Sequence, residues 1–295
     1  MKRFVKWSVV AILLLVFAGI VAAAVPYWRD RTIREKLYAE WEPVRIPNCE
    51  LKRFGNDHDG GYLMCGNLLS EVTAGYSYGI NGDDQWGCLI HLQTRIPVHQ
   101  YDCYNDKVPV CPGAPDYGKQ FHFQCAGPER EIRAGREFDT MLAQLTKNGD
   151  LGKRLVVKMD IEGWEWPVLA GLPDHVLNSI DQLAIEFHEI ESEKFVETTE
   201  RLKQFFHVVN FHQNNYLCQP GFEPFPGRVF EALLVSKRIA TADGTTIARG
   251  ASPLNATNAR HLPDCQPGPA KSELQRIGGW LRRQWLTYHG RFDPD

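Results

Sequence analysis

From Val72 onward the chain alternates short apolar runs with amphipathic ones, and this alternation constrains the fold more than any other feature. Strands are predicted at Val72–Ile80, Val98–Tyr104, Gln120–Gly127, Leu155–Ile161, Gln182–His188, Val208–His212 and Phe230–Val235. Helices are predicted at Asp84–Leu92, Arg136–Leu145, Glu165–Leu172 and Glu193–Phe206, the last with Phe195, Leu202, Phe205 and Phe206 on one face. A strand–helix–strand rhythm implies mostly parallel strands in an α/β sheet with helices on both faces. The last two strands break it. About seventeen polar, Pro- and Gly-rich residues separate them without helical periodicity, so this pair is expected to be antiparallel.

The N-terminus carries a different signal. Lys2, Arg3 and Lys6 precede a charge-free run from Trp7 to Trp28. The stretch Trp7 to Val25 would span about 28 Å as a helix, close to the hydrocarbon thickness of a bilayer. Trp7, Tyr27 and Trp28 stand at its ends, where amphipathic rings prefer to lie. A single-pass signal-anchor helix is expected; a cleaved signal peptide ending near Ala22-Ala23-Ala24 is the alternative, and it would leave a secreted domain. Basic residues flank both ends, so charge does not fix the orientation. Residues 29–48 read as a charged helix and linker, 49–238 as the α/β domain, and 239–295 as a loop-rich tail ending in a short amphipathic helix.

A net charge of −3 gives no electrostatic footprint for nucleic acid. Eight cysteines exceed what a cytosolic enzyme needs, and none forms a CxxC pair, so no structural metal is expected. With the signal-like start, they favour a domain outside the cytosol. Cys49 and Cys65 flank a hairpin turning at Asp59-Gly60-Gly61, and either a pair or two free thiols fits. Asn255-Ala256-Thr257 has the form of a glycosylation acceptor.

Ligands of open parallel sheets bind beyond the carboxyl ends of the strands. Three such ends stand out. Tyr78-Gly79-Ile80-Asn81 runs from a strand into a glycine loop and then a helix. Asp102 ends the next strand about twenty residues on, where a carboxylate can accept hydrogen bonds from ribose hydroxyls. Asp160-Ile161-Glu162-Gly163-Trp164-Glu165 crowds three acids at one strand end, which costs free energy unless cations or donors compensate. His188 ends the neighbouring strand and is a candidate general base or ligand for a divalent cation. Ordinary turn and helix-capping roles account for part of each cluster.

Lys158-Met-Asp-Ile-Glu-Gly-Trp-Glu-Trp resembles the D-x-E-G-x-E signature of FkbM-like methyltransferases, and more closely the domain of the methyltransferase-like protein 24 group. Arg53-Phe-Gly with Asp59-Gly60-Gly61-Tyr62, Ser77-Tyr78-Gly79-Ile80 and Ile185-Glu186-Phe187-His188 match further blocks in order, over about Cys49 to Lys237. The resemblance implies a Rossmann-like seven-stranded sheet with an antiparallel final pair and S-adenosylmethionine as cofactor; the reaction expected from the site is O-methyl transfer to a small-molecule or glycan acceptor. The resemblance would place the loop from Tyr78 through Gly79, Ile80 and Asn81 against the cofactor's methionine part and Asp102 on its ribose. Asp160 would stand near the methyl group, with His188 and Glu162 as further catalytic candidates. The glycine loop departs from the acid-x-Gly-x-Gly-x-Gly form of typical methyltransferases, and Gly87 follows Trp86 where the family often has an acid. A membrane-tethered binding protein without catalysis is the competing class. A glycosyltransferase would need its D-x-D at Asp57-His58-Asp59, in a hairpin turn ahead of the sheet.

Overall fold

The computed structural model describes residues 24–218, 221–265 and 272–288. The predicted membrane span falls almost wholly on residues 1–23, outside the described residues; among these, no helix is long and apolar enough to cross a membrane. The chain is a mixed α/β structure around a seven-stranded, mostly parallel sheet.

Helix α1 (24–40) precedes a hairpin of β1 (Leu51–Gly55) and β2 (Gly61–Cys65). The sheet strands follow: β3 (Ala74–Tyr78), β4 (Val98–Asp102) and β5 (Phe121–Phe123), with helix α2 (Gln85–Thr94) between the first two. A small sheet interrupts here, from β6 (Cys125–Ala126), β7 (Glu131–Arg133) and β8 (Arg136–Asp139). Then come α3 (Met141–Asn148), β9 (Leu155–Met159), α4 (Glu165–Gly171), α5 (Asp174–Ser179), β10 (Ile180–His188), α6 (Glu193–Phe205), β11 (Phe206–Gln213), β12 (Val229–Ser236) and α7 (Glu273–Tyr288).

The main sheet runs β11-β12-β10-β9-β3-β4-β5. Strand β12 is inserted antiparallel between β10 and β11, as the break in rhythm suggested; the other neighbours pair in parallel. The chain winds from β3 to the β5 edge and returns to β9 on the other side of β3. Strand order therefore reverses between β3 and β9, where such sheets hold ligands.

Side chains alternate across the strands to build two cores. On one face Tyr78, Val157, Met159, Ile185 and Phe187 pack with Trp166 of α4 and with Ile33, Leu37 and Trp41. Residues 29–48 thus contribute to the core as well as connecting. The opposite face buries Val156, Ala184, Leu233 and Val235 under Trp86 and Ile90 of α2 and Phe54, Tyr62 and Met64 of the hairpin. Helices cover both faces, but on this second one a hairpin shares the task with α2.

The run Arg136–Leu145 is not one helix. Ala134 and Gly135 both take positive φ, +47° and +77°, which makes a tight hairpin turn between β7 and β8. The helix starts only at Met141, where the Thr140 hydroxyl accepts from the Ala143 amide.

The eight cysteines form four disulfides, Cys49–Cys65, Cys88–Cys111, Cys103–Cys125 and Cys218–Cys265. The last ties the segment after β11 to the tail. Asn258 of this tail donates to Glu231, and Asn255 accepts from Asn210. The Asn255 amide nitrogen is buried, so the glycosylation pattern presents no accessible acceptor.

Candidate functional site

A cleft of about 430 Å³ opens at the reversal of strand order, within the roughly 300–1,000 Å³ of small-molecule sites. Tyr78, Gly79, Ile80, Asn81, Asp102, Asp160 and Glu162 all line it. Residues that sequence reasoning did not single out share the lining: Lys158, Tyr101, Gln124, Phe138, Trp164 and the Cys103–Cys125 disulfide.

The glycine loop is built by close backbone approach. A Cβ on Gly79 would lie 1.6 Å from the Asp160 carbonyl oxygen, and Gly79 has φ +71°, so only glycine fits. The Gly79 amide donates to the Tyr101 carbonyl and the Asp160 amide to the Tyr78 carbonyl. Strand ends β3, β4 and β9 are thereby stitched together. Asp84 then caps α2. Its carboxylate accepts from the Gly87 amide and the Ser77 and Tyr117 hydroxyls, and burial raises its pKa.

Asp102 supports this loop from the next strand. Its Oδ2 accepts from the Asn81 amide at 2.7 Å, and its Oδ1 from the Tyr104 and Asn105 amides at 2.8 and 2.9 Å. Oδ1 is therefore doubly engaged. Oδ2 retains one lone pair, enough for a single hydroxyl rather than the two expected of a ribose-binding acid.

The three crowded acids separate in space. Glu165 is fully buried and accepts from the Ile161 and Gly163 amides and from His188 Nδ1. It staples the turn after β9. Glu162 has φ +55° and holds its carboxylate out at the cleft rim, 3.3 Å from His188 Nε2. Asp160 faces the cleft. Its Oδ2 accepts from the Tyr62 hydroxyl at 3.0 Å and lies 3.5 Å from Lys158 Nζ. Its Oδ1 has no hydrogen-bond donor among the described residues.

His188 is not among the residues lining the cleft. Burial by itself would lower its pKa, but the hydrogen bond and charge of Glu165, with Glu186 and Asp160, outweigh this and raise it to about 10. The raised pKa favours the imidazolium, the form that donates to Glu165 rather than the one that takes a proton. Glu186 lies 3.5 Å from His188 Nε2 and opposite Glu231 across β10 and β12. Burial, then the Asp160 charge, raises its pKa well above the usual carboxylate range. Asp160, Glu165 and His188 offer ligand atoms within 4.8 Å of one another. Glu165 is already saturated by amides and imidazolium, so Asp160 is the member of this group open to a ligand.

Lys158 was hidden by its setting in an apolar strand, although one charge within Leu-Val-Val-Lys-Met is itself a signal. Its ammonium donates to the Tyr78 and Gly79 carbonyls at 3.1 and 2.6 Å. Tyr62 reaches the site from the hairpin. Burial and the nearby Asp160 raise its pKa, so it stays a phenol and donates to that carboxylate.

No family model matches the chain, and no curated protein matches it either. Among solved structures, a Streptococcus mutans protein assigned provisionally as a SAM-dependent methyltransferase is similar over 65% of this chain and 56% of its own, at 8% identity and a TM-score of 0.33. The chain thus spans just over half of that protein's length.

Proposed function

We propose that the chain is an S-adenosylmethionine-dependent methyltransferase that transfers the methyl group to an oxygen of a small-molecule or glycan acceptor. One observation carries this reading: Gly79, Asp102 and Asp160, from three strand ends, line a single cleft where the strand order reverses. The glycine cradle and the remaining lone pair of Asp102 fit a nucleoside cofactor. The resemblance of the Asp160–Glu165 run to the FkbM-like signature supports the same assignment.

In this reading the loop from Tyr78 to Asn81 holds the methionine part and Asp102 one ribose hydroxyl. The disulfide, Gln124 and Phe138 form the wall toward the base. When bound, the cofactor supplies an electrophilic methyl carbon, so the protein has to align a nucleophile and accept its proton. We assign both tasks to Asp160, because it lines the cleft and only its Oδ2 accepts a hydrogen bond among the described residues, while the raised pKa of His188 favours its protonated form. The hairpin turn with Asn56, Asp59 and Gly60 forms the acceptor side of the cleft. The four disulfides favour an oxidising compartment, in keeping with a membrane-anchored domain outside the cytosol.

Calorimetry of the full chain with S-adenosylmethionine, followed by Asp160→Ala, tests the proposal. Binding to the wild type and loss of transfer in the variant, with the fold intact, is the expected result. Absence of any heat or thermal shift at millimolar cofactor refutes it. One observation favours a binding protein without catalysis instead: the Asp102 carboxylate is largely spent on backbone amides. Binding without turnover over a broad set of hydroxyl acceptors would select that reading.

A further inference from the structure

Lys158 is 5% exposed, and a buried ammonium persists only where donors and charge are matched. Its neighbours are unusual for a lysine that merely fills a core. Two are carbonyl oxygens of one loop, at Tyr78 and Gly79, and the third is the Asp160 carboxylate on its own strand end. Of the three N–H donors of an ammonium, two go to the carbonyls, and the Asp160 carboxylate at 3.5 Å balances the charge. The Tyr62 ring, with its centroid 5.5 Å from Nζ, closes the remaining side. The amine thus bridges the reversal point of the sheet. On one side it holds the turn of the glycine loop, and on the other the acid that faces the cleft.

The glycine loop needs such a fastening. Gly79 and Gly82 at positive φ and Asn81 at φ +45° give it a conformation that backbone preferences alone do not favour. On the β4 side the loop is held by Asp102, which accepts from the Asn81 amide, and by Asn105, whose side chain donates to the Asn81 carbonyl. On the β9 side, the side-chain contact to its carbonyls is Lys158.

We infer that Lys158 is a positioning residue that couples the cofactor loop to Asp160, so that one ammonium sets the loop's shape and the bearing of the cleft-facing carboxylate together. The role assigned to Asp160 rests on the methyltransferase reading; the fastening of the loop does not. Lys158→Met keeps the unbranched shape and removes the donors. It leaves the Gly79 carbonyl without its ammonium donor, while the Tyr78 carbonyl keeps only the Asp160 amide.

The test is hydrogen exchange of the ligand-free full chain in detergent, comparing peptides over the Gly79–Asp84 loop and over β10, for the wild type, Lys158→Met and Lys158→Arg. The expected result is exchange at least about tenfold faster in the loop for Lys158→Met, as loss of partners for buried polar groups implies. Strand β10 stays unchanged, and Lys158→Arg recovers part of the loop protection. S-adenosylmethionine affinity then falls about tenfold or more in Lys158→Met. Unchanged loop exchange overturns the inference. So does a rise that is equal in the loop and β10, because Lys158 would then stabilise the fold generally. A wild-type chain that binds no S-adenosylmethionine defeats the methyltransferase reading, and the exchange comparison still decides the fastening.

Discussion

His188→Asn isolates the charge at the heart of the acid cluster. The asparagine amide can keep a donor on Glu165, as His188 Nδ1 does at 3.1 Å, but it carries no proton to lose. Two routes give the magnitude. A pKa raised from 6.5 to about 10 corresponds to about 5 kcal/mol of coupling between charge and folded state, at ~1.36 kcal/mol per unit. Removing one partner of a buried ion pair costs about 3–5 kcal/mol. Both give a loss of several kcal/mol, a large part of the ~5–15 kcal/mol that stabilises a typical domain. The sign follows from linkage. Because folding raises this pKa, the contribution is complete below pH 6.5 and is lost as pH climbs toward about 10. Denaturant unfolding, with disulfides intact and tryptophan fluorescence as the probe, should show His188→Asn destabilised by about 3–5 kcal/mol at pH 6.5. The gap to the wild type should close steadily up to pH 10. Parallel stability curves across that window would refute the reasoning, because the imidazole would then be neutral in the folded state and free to act as a base.

Two further perturbations probe the cofactor side. Gly79→Ala places a methyl group on the Asp160 carbonyl and forces a left-handed φ; S-adenosylmethionine binding should vanish in calorimetry, with a stability loss of about 1–3 kcal/mol or more. Replacing Cys103 and Cys125 together by serine releases a 22-residue separation. It should lower stability by about 3 kcal/mol and weaken cofactor binding, read by thermal shift with and without ligand, because this disulfide is part of the cleft wall.

The sheet was legible because its central strands carry short apolar runs: Leu155–Met159 is broken only by Lys158, and the middle of β10, Leu-Ala-Ile-Glu-Phe, only by Glu186. Where a polar turn interrupts, the reading slipped: Arg136–Asp139 pairs as a strand because Ala134-Gly135 makes a hairpin turn that helical spacing conceals. The disulfide partners were beyond reach, since eight cysteines permit 105 connectivities; only Cys49–Cys65 was suggested, by flanking one hairpin. At the site, strand ends identified Gly79, Asp102 and Asp160. That Glu165 turns away while Asp160 and Glu162 line the cleft could not be read from the spacing alone, because it depends on Glu165 meeting His188 from a strand 23 residues away. Lys158 and Tyr62 stand within the family blocks, but no role could be read for them, for the same reason. Their partners lie 80 and 98 residues from them in the chain.

The two rims of the cleft are held by different means, and this bears on how the site could vary. On the β4 rim, Cys103–Cys125 is itself part of the lining and Cys88–Cys111 ties α2 to the β4–β5 connection. Asp102 spends three of its lone pairs on backbone amides there. That rim is pinned by covalent bonds and by a carboxylate tied to three backbone amides, and a change in it exposes unpaired partners at a cost of about 1–3 kcal/mol each. The hairpin rim is held by the Arg53 side chain on the Asn56 and His58 carbonyls and by His58 on the Thr257 carbonyl. Its one disulfide, Cys49–Cys65, closes the far end of the hairpin, away from the turn. Asn56 and Asp59 therefore sit on a turn whose side chains can change without disturbing the sheet, whereas Gly60, at φ +76°, is fixed by the turn itself. In the methyltransferase reading proposed above, a cofactor shared across many reactions belongs on the pinned rim, and an acceptor that differs from one reaction to the next belongs on the adjustable one.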